Sequence, residues 1–224
     1  ASYQVTTTMR HTLAKSVLFI AIIGFYSCDA QTSKKDGGVR LVDLKAPAEK
    51  AIAAFAEGCF WCSEHIFEAV VGVDSAVSGY AGGHTKNPTY ELVNTETTGH
   101  AETVLVYYDP SKINYEELTK VFFTSQDPTT KDRQGPDVGS SYRSILFYMT
   151  PEEKVIAEKS LKTFDSSGMF SKPIVSEVME LKAFYRAEEY HQDYIEHNPG
   201  SGYVRGVSIP RYEKFKRTYK GKLK

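Results

Sequence analysis

Residues 51–72 read AIAAFAEGCFWCSEHIFEAVVG, and this stretch predicts a strand followed at once by a helix. The apolar run AIAAFAEG is typical of a buried strand that a glycine ends. Gly72 ends the helix. Cys59 and Cys62 therefore lie where a buried strand meets the first turn of a helix. The apolar side chains that define the helix recur at Ile66, Phe67, Val70 and Val71.

The segments that follow complete a β-α-β-β-α-β order. Alternating strands are predicted at 73–78, 101–108 and 142–149, with loops at 79–88 and 129–141. Asn114 and Glu117 form a capping box for the second helix, which Asp127-Pro128 ends. This order predicts an α/β (α+β) fold: a ferredoxin-like, split β-α-β two-layer sandwich with a mixed sheet. The extra C-terminal elements are a helix from Thr150-Pro151, a strand at 174–181, a short helix around 188–198 and coil.

The composition indicates one globular domain. The chain has 224 residues, of which 41% are hydrophobic and 25% charged, enough for a sizeable core. A net charge of -1 predicts no bulk attraction to nucleic acid. Three cysteines are too few for a disulfide scaffold, so the hydrophobic core must stabilise the fold. We expect the chain to act as a monomer.

The N-terminal part predicts export. A basic segment at 9–15 precedes the apolar run SVLFIAIIGFY, which is too short to span a bilayer. Its end, FYSC, resembles a relaxed bacterial lipoprotein box with Cys28 as the lipidated residue. We expect a leader at 1–28, a linker at 29–48, the folded domain at 49–210 and a solvated basic tail at 211–224. The protein would be periplasmic and lipid-anchored; a buried core helix is the alternative reading of the apolar run.

The position of the C-x-x-C motif favours redox chemistry. Free N–H groups and the dipole at a helix N-terminus stabilise a thiolate, which predicts a lowered pKa for Cys59. Cys62 falls on the same helical face, at a Cα separation of roughly 5 Å that a disulfide can bridge. The pair can therefore act as a nucleophile and its resolving partner.

Three alternatives remain open for the two cysteines. His65 extends the motif to C-x-x-C-x-x-H, which could contribute to a zinc site, although a closed site needs a fourth ligand. The cysteines could be buried structural thiols, or the pair of a thioredoxin-like disulfide exchanger. The bulky Phe60-Trp61 between them instead suits a pocket for a small apolar group, such as a methyl on sulfur.

Several spaced motifs in one order resemble a known family. GCFW is followed by NPTY, TGHAE, YYDP and QGPDVGSSYRS, and the match runs from about residue 51 to 210. In these motifs the chain resembles the A-type methionine sulfoxide reductases, in the subtype with GCFWC. The resemblance implies reduction of methionine (S)-sulfoxide in proteins, no bound cofactor or metal, and a thioredoxin-like dithiol protein as reductant.

The resemblance also implies a role for each site residue. Cys59 would attack the sulfoxide sulfur, Glu102 would protonate the oxygen, and Cys62 would resolve the sulfenic acid as a disulfide. The oxygen would be hydrogen-bonded by Tyr90 and Tyr142, with Asp137 supporting the site. The substrate's methyl group would be enclosed by Phe60, Trp61 and Tyr194.

Some of these residues also have plainer interpretations. Glu102 could be a solvent-facing strand residue, and most tyrosines serve only in packing. His100 and His191 could be ligands or bases, but hydrogen-bonded structural histidines are commoner. Two features depart from the family pattern: no cysteine lies in the C-terminal segment, and Gln126 precedes Asp-Pro where a histidine is expected.

Overall fold

A computed structural model of the chain describes residues 1, 2, 4 and 38–224. The apolar run of the predicted leader, Cys28 and the first part of the predicted linker lie outside the described residues. Within the described part, no helix is long and apolar enough to cross a membrane.

The described residues form nine strands and six α-helices. The strands are β1 Arg40–Leu41, β2 Ala51–Glu57, β3 Val73–Ala81, β4 Ala101–Tyr108, β5 Arg133–Gln134, β6 Asp137–Val138, β7 Ser144–Tyr148, β8 Glu177–Glu180 and β9 Phe184–Arg186. The helices are α1 Phe60–Glu68, α2 Tyr90–Val93, α3 Tyr115–Ser125, α4 Pro151–Asp165, α5 Tyr194–His197 and α6 Ile209–Thr218. Short 3-10 turns cover Ser140–Tyr142 and Glu189–His191, and a π-helical turn covers Val204–Ser208.

Seven strands form one mixed sheet in the order β1-β9-β3-β4-β2-β7-β8. Every neighbouring pair is antiparallel except β7 with β8, which is parallel. The four strands of the predicted split β-α-β unit are β2, β3, β4 and β7, and they stand side by side at the centre. Helices α1 and α3 pack on this part of the sheet. The α+β, split β-α-β prediction is confirmed.

The alternation along β2 shows that both faces of the sheet are covered. Ala53 and Phe55 belong to the core beneath the helices, where the Phe55 and Phe67 rings stack with centroids 4.9 Å apart. Ile52 and Ala54 belong to a second core on the opposite face. Burial on both faces is the reason that AIAAFAE reads as a continuous apolar run.

The predicted helix caps are present. The Asn114 side chain accepts a hydrogen bond from the Glu117 N–H at 2.8 Å, at the start of α3. Thr150 accepts one from the Glu153 N–H at 3.1 Å, and Pro151 occupies the first turn of α4. Each cap stabilises its helix by about 1 kcal/mol.

Several predicted boundaries are wrong. Strand β3 runs three residues beyond 78, into the predicted glycine-rich loop, and the predicted loop at 129–141 contains the β5–β6 hairpin. Only residues Glu177–Glu180 of the predicted strand at 174–181 form a strand, β8. The predicted helix around 188–198 is two short turns, because Asp193 between them has a left-handed backbone with φ of 51°. Strands β1 and β9 and helix α2 were not predicted, since each is too short to show a period.

The predicted linker is part of the domain in its described portion. Strand β1 pairs with β9, and the Val42 N–H donates to the Phe184 carbonyl at 2.9 Å. Val42, Leu44 and Ala46 pack against the second core. The alternating apolar residues between polar neighbours cover the sheet face that α1 and α3 leave open.

The prediction of a solvated tail at 211–224 is also wrong. Helix α6 spans the start of this segment, with Phe215 fully buried and its ring stacked on Tyr219 at 5.1 Å. Leu223 then pairs with Val70, just beyond α1. The physical reason is the spacing of Arg211, Phe215 and Tyr219, which repeats every four residues and places these side chains on one helix face.

We expect the variant Phe215→Ala to lower the free energy of unfolding by about 3–5 kcal/mol, because it leaves a cavity in the core. Urea denaturation measures this change. Arg217→Ala is the matched control on the exposed face of α6 and should change stability by less than about 0.5 kcal/mol. Equal, small effects of the two variants would contradict the docked position of α6.

Candidate active site

A glycine turn places Cys59 at the start of α1. Gly58 has a φ of 85°, a left-handed conformation that favours glycine. A Cβ at this position would lie 2.4 Å from the Gln134 Cβ, so the hairpin β5–β6 also requires the glycine. Cys59 is the N-cap residue of α1, as the sequence predicts.

A cavity of about 340 Å³ lies in front of Cys59. It brings together every predicted catalytic and substrate-binding residue, and Tyr203 joins them. Cys62, the predicted resolving cysteine, does not line this cavity but lies one turn further along α1. The residues that line the cavity are Cys59, Phe60, Trp61, Tyr90, Glu102, Asp137, Tyr142, Tyr194 and Tyr203.

Glu102 is a buried carboxyl group that faces the site. It lies on β4, where it pairs with Tyr80 of β3, and only 2% of its surface is exposed. Its Oε2 accepts a hydrogen bond from the Phe60 N–H at 3.0 Å. Burial raises the pKa of Glu102 to about 8, against the lowering effect of that hydrogen bond. The alternative of a solvent-facing strand residue is wrong, and Glu102 carries a transferable proton at neutral pH.

The phenols of Tyr90 and Tyr142 remain protonated at neutral pH. Burial raises the pKa of both Tyr90 and Tyr142, and the nearby Glu102 raises both further. Each can therefore donate a hydrogen bond to an oxygen atom in the cavity.

Tyr203 is a site residue that the sequence did not predict. Its hydroxyl donates a hydrogen bond to Asp137 Oδ2. It comes from the C-terminal segment, just before the π-helical turn, where only an aromatic residue among glycines could have signalled it. Tyr203 therefore holds the half-buried Asp137 carboxyl at the edge of the cavity that Cys59 lines.

Aromatic rings form one wall of the cavity. The Trp61 indole stacks on Tyr194 with ring centroids 3.6 Å apart and an interplanar angle of 8°. The Trp61 Nε1–H donates to Nδ1 of the buried His191 at 3.1 Å. Burial lowers the pKa of His191 to about 4, which keeps the ring neutral and Nδ1 free to accept. His191 therefore fixes the orientation of Trp61.

The rings of His100 and His65 lie outside the cavity and contact other protein groups. The Gly83 N–H donates to His100 Nδ1 at 3.2 Å, and His100 Nε2 lies 2.8 Å from the Thr85 carbonyl. The His65 ring meets Tyr212 edge-on at 4.6 Å. Across the described residues, no three His, Cys, Asp or Glu side chains are grouped so that they could share a metal ion.

Charge is distributed unequally over the two cysteines. Cys59 is 6% and Cys62 1% exposed, and the Cys59 thiol hydrogen-bonds to the Cys62 sulfur. Burial, followed by the effect of Cys62, raises the pKa of Cys59. Donation from Cys59 and the positive charge of Arg211 lower the pKa of Cys62 to about 6. The prediction of a lowered pKa at Cys59 is wrong for this state, because burial and the neighbouring Cys62 outweigh the effect of the helix N-terminus.

Gln126 lies behind the cysteines, in a second cavity of about 330 Å³ that Cys62 lines. Its Oε1 accepts from Gln134 Nε2 at 3.4 Å, and its Nε2 has no hydrogen-bond partner among the described residues. Nothing in the structure explains why glutamine stands where the family pattern has histidine.

The sequence model of the family described as peptide methionine sulfoxide reductase matches residues 51–223. The chain belongs to this family. The match includes α6, in agreement with the docked position of that helix.

Individual relatives agree with the assignment. The chain is 46% identical to a peptide methionine sulfoxide reductase of Rhodopirellula baltica, over 82% of this chain and 95% of the relative. It is 47% identical to one of Natronomonas pharaonis, over 77% of this chain and 97% of the relative. Among solved structures, reduced Mxr1 of Saccharomyces cerevisiae superposes with a TM-score of 0.66 at 34% identity, covering 70% of this chain and 91% of Mxr1.

The pKa of Glu102 predicts how the reductase responds to pH. A raised pKa means that the acid form is present below about 8 and is lost as the pH rises through that value. We expect the rate of methionine formation to fall over this range, because the general acid is then ionised. Single-turnover rates measured from pH 6 to pH 10 test this.

Glu102→Gln should lower that rate by about 10²-fold or more and abolish the fall near pH 8, since glutamine has no transferable proton. Glu64→Gln is the matched control. Burial also raises the pKa of Glu64 to about 8, but Glu64 bonds to Ser78 outside the cavity. If Glu102→Gln kept the wild-type rate, Glu102 would not be the acid.

Proposed function

We propose that this peptide methionine sulfoxide reductase works with Cys59 as nucleophile, Glu102 as acid and Cys62 as resolving cysteine. The observation that carries the proposal is the shared cavity, in which a protonated, buried carboxyl group and a cysteine face an aromatic wall. A sulfoxide oxygen leaves sulfur only when it is protonated, so an acid is needed beside the nucleophile.

In the first step the Cys59 sulfur attacks the sulfoxide sulfur and forms an S–S bond to it, while Glu102 protonates the oxygen and Tyr90 and Tyr142 donate hydrogen bonds. The S–O bond of the substrate then breaks, and the hydroxyl group bonds to the Cys59 sulfur as the new S–S bond breaks and methionine leaves. Cys59 becomes a sulfenic acid, and the proton of its thiol returns to Glu102. Cys59 is thereby oxidised by two electrons, the number by which the sulfoxide is reduced.

The substrate's methyl group fits the aromatic wall. Phe60, Trp61 and Tyr194 present ring faces and edges, which make favourable contacts with sulfur and with its methyl group. A wall on one side and donors on the other would bind one epimer at sulfur, and we assign the (S)-sulfoxide. The cavity opens to solvent, which suits methionine sulfoxide carried on proteins as well as the free amino acid.

In the second step the Cys62 thiolate attacks the Cys59 sulfenic acid. An S–S bond forms, the S–O bond of Cys59 breaks, and the leaving hydroxide takes a proton from Glu102 and departs as water. A dithiol protein of the thioredoxin kind then reduces the disulfide and becomes oxidised itself. One chain supplies every residue of the cavity, so we propose that the monomer is active.

A single-turnover experiment without reductant tests the assignment. Wild type and Cys62→Ser should each form about one methionine per chain from the (S)-sulfoxide, and neither should act on the (R)-sulfoxide. Cys59→Ser should form none, because a serine hydroxyl is not appreciably ionised at neutral pH. Methionine from Cys59→Ser would place the nucleophile elsewhere. Reduction of insulin disulfides in place of the sulfoxide would indicate a disulfide exchanger.

Steady-state turnover of Cys62→Ser then tests the resolving role. Turnover with thioredoxin should stall, because that donor reduces disulfides efficiently and the variant cannot make one. Excess dithiothreitol should partly restore turnover, since a small thiol can attack the sulfenic acid directly. Normal cycling with thioredoxin would show that the enzyme works with one cysteine.

We also propose that the chain is exported and anchored through lipidated Cys28. The support is the basic segment at 9–15, the apolar run after it and the lipoprotein-like FYSC. In a bacterial host the full chain should fractionate with membranes, and Cys28→Ala should release it. Equal fractionation of both forms would contradict the anchor.

A further inference from the structure

The segment that contains the π-helical turn and α6 lies next to the resolving cysteine, Cys62. The inference drawn from this contact rests on the function proposed above. Ser208 closes the π-helical turn, and its Oγ accepts a hydrogen bond from the Cys62 thiol at 3.3 Å. When Cys62 is ionised, the same hydroxyl can rotate and donate to the sulfur. Three residues later Arg211, in the first turn of α6, lines the second cavity together with Cys62. A segment without cysteines thus supplies two groups next to Cys62.

The Arg211 side chain is fixed by a buried network. Its Nη2 donates to Glu57 Oε1 at 2.8 Å and to the Glu57 carbonyl at 2.9 Å. Its Nε donates to the Ser125 carbonyl at 2.8 Å, and the Ser125 hydroxyl donates to Glu57 Oε2 at 2.7 Å. Glu57 is fully buried and Arg211 is 12% exposed. The guanidinium therefore has one position, in a region that water does not screen.

The balance of charge around Cys62 leaves a role for this guanidinium. Donation from Cys59 lowers the pKa of Cys62 most, and Arg211 and the hydroxyl of Ser208 lower it further, whereas burial and Asp137 raise it. Burial raises the pKa of Glu57 to about 7, although Arg211 acts in the opposite direction. The carboxylate of Glu57 therefore does not fully cancel the positive charge of Arg211. The Cys62 sulfur lines the same cavity as Arg211, and the remaining positive charge can stabilise its thiolate.

We propose that Arg211, positioned by Glu57, and Ser208 form a cradle that holds the Cys62 sulfur as a thiolate. The same cradle would serve both half-reactions of the cysteine pair. Arg211 is a positioning residue in this account, because it acts through Cys62 and not on the substrate.

In disulfide formation the cradle provides the attacking group. The Cys62 thiolate attacks the Cys59 sulfur of the sulfenic acid, the S–S bond forms, the S–O bond breaks, and the leaving hydroxide takes a proton from Glu102 to become water. A thiolate that exists near neutral pH can make this attack without first losing a proton.

In disulfide reduction the cradle provides the leaving group. A thiol of lower pKa leaves faster, so the donor thiolate would attack Cys59, break the S–S bond and release Cys62 as the thiolate. The second donor thiol then attacks its own mixed disulfide, frees Cys59 and completes the donor's oxidation. Cys59 also lines the open substrate cavity, so substrate and donor would use one entrance in turn.

The direct test measures the thiolate of Cys62 in a Cys59→Ser background, by ultraviolet absorbance against pH. We expect a midpoint below the ordinary value near 8.5 in this parent, which lacks the donation from the Cys59 thiol but keeps Arg211 and Ser208. The double change Glu57→Gln with Arg211→Gln should move the midpoint up by at least about one unit, toward the ordinary value near 8.5. The double change is used because Arg211→Gln alone would leave the fully buried Glu57 carboxylate without its counter-charge and threaten folding.

Glu57→Gln alone separates the charge from the packing. It keeps the guanidinium, so the midpoint should stay or move down, opposite to the double variant. Arg211→Lys should keep most of the shift, and Arg205→Gln, an exposed control on the same segment, should have no effect. A midpoint that does not rise in the double variant would overturn the proposal, as would a rise of equal size in Glu57→Gln.

Disulfide formation in the presence of both cysteines gives the kinetic readout. At pH 6 the double variant should form the disulfide on the order of tenfold more slowly, after allowance for the greater nucleophilicity of a more basic thiolate. At higher pH the difference should vanish, whereas a packing defect would slow the step at every pH. Methionine release in the first half-reaction should persist. Its loss in Cys59→Ser tests the proposed function separately, so the two can fail independently.

Discussion

One hydrogen bond, from the Phe60 N–H to Glu102, joins strand β4 to the first turn of α1 at the active site. It occupies the first free N–H of the helix, which would otherwise be available to the Cys59 sulfur. It also fixes the distance between the nucleophile and the acid, because Cys59 and Phe60 are consecutive. The rest of the site is arranged around this contact: the glycine turn before it, the tyrosines beside the carboxyl group and the tryptophan wall beyond the cysteine.

The burial that stabilises the core also sets the charge states of groups in the active site. Glu102 keeps its proton because burial disfavours its ionised form, and the neutral His191 holds Trp61 because its ring is also desolvated. Cys62 is the exception, because burial alone would suppress its thiolate and nearby donors and a positive charge reverse the effect. Three titratable groups with similar burial thus take different charge states, and specific neighbours decide which.

The sequence predicted the parts of the structure that depend on local pattern. The alternation in β4, the caps at Asn114 and Thr150 and the strand-to-helix junction at Cys59 follow from spacing and residue type within a few positions. The motifs also placed Cys59, Glu102 and the cavity residues together. Tyr203 and Arg211 were missed, because their contacts span long sequence separations and their segment reads locally as a basic, glycine-containing tail. The predicted direction of the Cys59 pKa was wrong because that pKa depends on burial, on Cys62 and on Glu102, which the helix position alone does not reveal.

The central claim is that Cys59 and Cys62 carry one turnover between them. The most direct measurement is disulfide mapping by peptide mass spectrometry after wild-type enzyme has consumed one equivalent of methionine (S)-sulfoxide without reductant. The account predicts one Cys59–Cys62 disulfide for each methionine formed, and no modification of Glu57, Arg211 or Ser208. Methionine formed while Cys62 remains a free thiol and Cys59 carries oxygen, or a disulfide that includes Cys28, would contradict it.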